Sequence, residues 1–103
     1  MMKTENEELT IEQKIEAWKQ KHKTIFAYEV EGKTVYLKQP DRKTLSAATI
    51  GSKGDPIKYN EIVLKNCWLG DNIEMLEDDS IFYGLSQKID EITNAKIGEL
   101  KKL

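Results

Sequence analysis

Residues 55–70 read DPIKYNEIVLKNCWLG, and the reading of this stretch decides the fold. Asp55 is a helix N-cap type, and Pro56 suits the first helical position, where its missing N–H costs nothing. Apolar side chains then recur on three rows: Tyr59, Val63 and Cys67; Leu64 and Trp68; Ile62 and Leu69. A helix that is apolar nearly all round must be covered by its neighbours. Gly70 is the residue type that best adopts a left-handed helix stop. The spacing therefore predicts a central helix over 55–69, ended by Gly70.

Upstream, Thr10-Ile11-Glu12-Gln13 matches a capping box, in which the threonine caps an amide and the glutamine reaches back. Ile11, Ile15, Trp18 and His22 follow on one face of a first helix over about 10–21. The period then changes. In TIFAYEVEGKTVYLKQP (24–40), β-branched and aromatic residues dominate, and Ile25, Ala27 and Glu29 alternate with Phe26, Tyr28 and Val30. A turn at Gly32 makes this a β-hairpin over about 24–38, and Pro40 ends it. Asp41 caps a short helix with Leu45, Ala47 and Ala48 on its apolar face, ending before Gly51. GSKGDP (51–56) reads as a loop.

Downstream, the acidic stretch DNIEMLEDD (71–79) leads into a last helix over about 80–101. Ile81, Phe82, Leu85, Ile89, Ile92 and Leu100 form its stripe. The predicted fold is α+β: an N-terminal helix, one β-hairpin and a bundle of about three helices, in the order α-ββ-α-α-α. Residues 1–8 are polar and are expected to form a flexible tail ahead of a single domain over 9–103.

Composition narrows the function. The 103 residues fit one domain. Charged residues make up 33% of the chain, yet the formal net charge is only -2, so no cationic excess argues for nucleic acid. The lysine run KQKHK (19–23) reads as a solvated helix end. A single cysteine forms no internal disulfide, which points to a reducing compartment. Nothing reads as a signal peptide or a bilayer span, so membrane association is not expected.

Catalytic and metal chemistry find little support. Cys67 falls at the C-terminal end of its helix, where the dipole disfavours a thiolate. The only histidine, His22, ends a different helix. One histidine and one cysteine are too few for a zinc site. The acidic residues Asp71, Glu74, Glu77, Asp78 and Asp79 lack the ligand alternation and central glycine of a calcium loop. Gly51-Ser52-Lys53-Gly54 lacks phosphate-loop spacing. No catalytic, cofactor or metal residue is expected.

An apolar surplus remains. Tyr59, Trp68, Phe82, Tyr83, Met75 and Leu76, with Ile73, exceed what one small core requires, unless they complete it. They are the candidates for binding an apolar helical partner. Tyr59 and Tyr83 are expected nearest the surface, because their hydroxyls prefer water.

YEVEGKTVYLKQPDRKTLSAA (28–48), DPIKYNEIVLKNCWLGD (55–71) and DDSIFYGLSQKIDEI (78–92) together resemble tail assembly chaperones of long-tailed bacteriophages and prophages, in particular the small ones from phages of Bacteroides-like bacteria. Tyr36-Leu37-Lys38-Gln39-Pro40-Asp41-Arg42 and Asn66-Cys67-Trp68-Leu69-Gly70 carry the pattern. The chain departs from it in having Gly70-Asp71 where two glycines often stand. The resemblance implies a non-enzymatic protein of the host bacterial cytoplasm, absent from the mature virion. It implies binding to the tape measure protein and recruitment of tail tube subunits, and it leaves room for self-association. The alternative is a small phage or mobile-element regulator that inhibits a host protein through the same surface.

Overall fold

The computed structural model describes residues 10–103, so the expectation for residues 1–8 lies outside the described residues. Helix α1 spans Ile11–Lys21 and opens on the expected capping box: Gln13 N–H donates to Thr10 Oγ1 (3.2 Å), and Thr10 N–H donates to Gln13 Oε1 (2.9 Å). Strands β1 (Ile25–Val30) and β2 (Lys33–Lys38) pair antiparallel, from Ile25 opposite Lys38 to Val30 opposite Lys33. Their two-residue turn has Glu31 at φ 52° and Gly32 at φ 75°. Positive φ at both central residues lets a two-residue turn follow the right-handed twist of its strands.

Phe26, Tyr28, Val35 and Leu37 share the face turned to the core, with Val35 and Leu37 fully buried. The opposite face meets α1 through Trp18, whose ring lies 5.4 Å from that of Tyr36.

Helix α2 spans Arg42–Ser52 with Asp41 as N-cap, its carboxylate accepting from Thr44 N–H at 2.8 Å. The helix runs through Gly51 and does not end before it. The glycine instead marks a close approach, since a Cβ there would stand 3.0 Å from Ile62 Cδ1 of the next helix. Lys53 (φ 51°) and Gly54 (φ 89°) make the reversal, so the loop is shorter than GSKGDP.

Helix α3 spans Pro56–Cys67, and Asp55 caps it by accepting from Ile57 N–H (3.0 Å) and Lys58 N–H (3.3 Å). Val63, Leu64 and Cys67 are fully buried, as the apolar rows require. The helix ends two residues earlier than predicted. Trp68 turns extended (φ -66°, ψ 132°), and Trp68–Leu69 form β3, pairing antiparallel with β2 at Leu37 and Tyr36. Trp68 Nε1–H donates to Asn72 Oδ1 at 3.2 Å. Pairing with an existing sheet edge outweighs one further turn of helix at these two residues. Among the described residues the sheet is thus three-stranded, in the order β1-β2-β3. Gly70 is left-handed (φ 95°), but it ends β3 and not the helix.

The acidic stretch holds a 3-10 turn at Ile73–Glu77. Asp78 then caps α4 (Asp79–Ser86), accepting from Ser80 N–H at 2.9 Å, and α5 spans Ile89–Thr93. The single helix expected over 80–101 is therefore two short ones. Ser86 Oγ donates back to the Phe82 carbonyl (2.8 Å) and Thr93 Oγ1 to that of Ile89 (2.8 Å), hydroxyl contacts that compete with helix propagation. Asn94, left-handed at φ 56°, closes α5. Residues 95–103 have no regular structure, and Leu100 is fully exposed, outside the stripe assigned to it. The architecture is the predicted α+β, with a helix, a hairpin extended by one short strand, and packed helices on the sheet.

Candidate functional site

Cys67 lies at the end of α3 with no exposed surface. Burial pushes its thiol up to about 11, the Asp41 carboxylate adds to the rise, and Lys38 only partly opposes it. A thiol held so far above neutrality supplies almost no nucleophilic thiolate. Cys67 should therefore react with a thiol reagent slowly in the native protein and rapidly in denaturant. Equal rates measured in the two conditions would show the side chain to be accessible.

His22 caps the end of α1, half-buried, and lines a shallow depression with Lys21, Lys23, Lys38, Gln39, Pro40 and Asp41. Partial burial, then Lys38 and Lys21, hold its pKa below the usual 6.5. The same lysines repel a metal cation. Among the described residues, no three His, Cys, Asp or Glu side chains gather as a ligand set. Nor, among them, is any helix long and apolar enough to cross a membrane.

The six apolar candidates divide by burial. Trp68, Met75 and Phe82 belong to the core, and their side chains present little surface to a partner. Tyr59 and Leu76 are half-buried and pack against that core. Tyr83 is 54% exposed, its ring 5.8 Å from that of Phe82. The apolar surplus thus mostly completes the core.

What remains open to solvent is a cleft of about 560 Å³ between α3 and the segment running from the 3-10 turn into α4. Ile57, Glu61 and Lys65 form one wall, four residues apart along a single ridge of α3. Ile73, Glu74, Leu76, Glu77, Asp79 and Phe82 form the other. Two isoleucines stand in it with much of their surface in water, Ile57 at 56% and Ile73 at 43% exposed. Four carboxylates surround this apolar patch against one lysine. Glu61 is the only one of the four with resolved ion pairs, to Lys65 (3.1 Å) and Lys58 (3.4 Å). These hydrogen bonds hold its carboxyl below the usual glutamate range.

The sequence reading placed Leu76, Phe82 and Ile73 among the candidates but missed Ile57. The signal was present: Ile57 follows Pro56 in the first turn of α3, where the helix projects beyond its neighbours. The geometry suits an apolar segment flanked by basic groups; it places no nucleophile, base or ligand set in the cleft. No protein-family model matches the chain, and neither does any curated protein or solved structure.

Proposed function

We propose that the chain is a non-enzymatic binding module that shields an apolar, helical client, in the manner of the phage tail assembly chaperones it resembles. The client on that reading is the tape measure protein, with tail tube subunits recruited around it in the host bacterial cytoplasm. The cleft beside α3 carries the proposal. It exposes Ile57 and Ile73 over a floor of Leu76 and Phe82, and an apolar side chain seated there leaves water. The carboxylates on its margin keep the free protein soluble and favour a client with lysine or arginine beside its apolar face.

Co-expression with the tape measure protein of the same phage or prophage tests this. The wild-type chain should keep that protein soluble. The pair Ile57→Asp and Ile73→Asp should weaken the complex by at least roughly tenfold, about 1.4 kcal/mol. Both side chains are largely exposed, so the melting temperature of the isolated variant should stay near that of wild type. The wild-type complex should also survive added salt, because apolar burial is not screened as exposed charge pairs are. A client left insoluble by the wild-type chain refutes the role, and undiminished rescue by the double variant moves the client off this cleft.

A further inference from the structure

The segment that follows α5 carries a pattern its surroundings do not use. Residues 94–103 read NAKIGELKKL, are exposed throughout, and make no helix or strand beyond the cap at Asn94. Ile97, Leu100 and Leu103 are large apolar side chains almost wholly in water. Their spacing of three puts them on one face of an extended chain with three residues per turn. Lys96, Glu99 and Lys102 share the second face, and Gly98 and Lys101 the third.

We propose that this segment of one copy docks in the α3 cleft of a second copy. The two surfaces complement each other in kind and in charge. The segment offers Ile97, Leu100 and Leu103 with three lysines and one glutamate. The cleft offers Ile57, Ile73 and Leu76 with Glu61, Glu74, Glu77 and Asp79 against Lys65 alone. The scale also agrees. The ridge from Ile57 to Lys65 is about 12 Å long at 1.5 Å per residue. Successive apolar side chains of the segment lie about 9 Å apart at roughly 3.1 Å per residue, so two fit the wall at once.

Donor and receiver are different surfaces, and every copy has one of each. Such a head-to-tail contact continues from copy to copy unless the rotation closes a ring. A client in the same cleft displaces the neighbouring copy, so client binding and self-association oppose each other. The docking itself stands independently of the client reading.

Sedimentation equilibrium of the full chain, without client, from micromolar to near-millimolar concentration tests it. The wild-type mass should rise with concentration beyond that of a dimer. A segment variant, Ile97→Ser with Leu100→Ser and Leu103→Ser, should remain monomeric. A cleft variant, Glu74→Lys with Glu77→Lys, should also remain monomeric, and circular dichroism checks its fold; Ile73→Ser replaces it if that fold is lost. Mixed together, the two variants should form a one-to-one pair and nothing larger, since each supplies the surface the other lacks. A wild-type chain that stays monomeric overturns the proposal, including when the segment lies in its own cleft. So does a segment variant that associates as wild type does, or a mixture that fails to pair. Client rescue by the segment variant, at wild-type strength or better, separates this result from the fate of the chaperone reading.

Discussion

Trp68→Ala should cost about 3–5 kcal/mol, enough to remove much or all of the stability of a domain this size. Three separate losses meet at this one residue. The indole is 9% exposed within the core, so truncation leaves a large cavity. Its Nε1–H is the donor to Asn72 Oδ1, and Asn72 Nδ2 in turn reaches the Thr34 carbonyl (3.5 Å) and Met75 Sδ (3.3 Å). The residue also stands opposite Leu37 where α3 hands over to β3. Denaturant unfolding followed by circular dichroism should show a much lower midpoint with a nearly unchanged slope. Trp68→Phe separates the contributions: it keeps most of the apolar volume and loses the hydrogen bond, at a net cost nearer 1 kcal/mol. A midpoint for the alanine variant close to wild type would mean that the handover is not anchored by this side chain.

Leu64→Ala should cost on the order of 2–5 kcal/mol, the range for emptying a fully buried leucine site. Leu64 has no exposed surface and sits midway along α3, with Val63 and Cys67 buried beside it. The control is on the same helix: Ile57→Ala removes a mostly exposed side chain and should change stability by no more than about 0.5 kcal/mol. The contrast between two aliphatic truncations only two turns apart measures how sharply α3 divides core from cleft. Equal effects at the two positions would place the helix in the wrong rotation.

The elements legible in the sequence are those written in local chemistry. Thr10 with Gln13, Asp41, Asp55 with Pro56, and Asp78 each carry a capping side chain that needs no tertiary partner to be recognised. The hairpin is equally local, set by alternation and by a turn at Glu31-Gly32. The misread positions are those that long-range contacts decide. Trp68 and Leu69 continue the apolar rows of α3, and only the open edge of β2 draws them into a strand. Gly51 has the composition of a helix stop, yet its role is to let Ile62 pass. In the last third, Ile81 to Leu100 keeps an apolar recurrence that suggests one helix. The back-bonding of Ser86 and Thr93 and the left-handed Asn94 divide and end it.

The candidate site was half legible for the same reason. An apolar residue does not announce which side of a helix the core will occupy. Trp68, Met75 and Phe82 were drawn inward, while Ile57, which composition placed in the covered helix, was left in water.

The two-residue strand β3 has a consequence for how the chain finds its shape. The β1–β2 hairpin and the packed pair α2–α3 are each built from contacts between near neighbours in sequence, which close at small entropic cost. The pairing of Trp68 and Leu69 with Leu37 and Tyr36 is different, because it encloses the whole of α2 and α3 in one loop. Contacts of that separation dominate the search time of a small domain. The barrier to folding is thus concentrated in a strand of two residues, and the pace of the whole chain is set by how soon a formed helical pair delivers Trp68 to the edge of a formed hairpin.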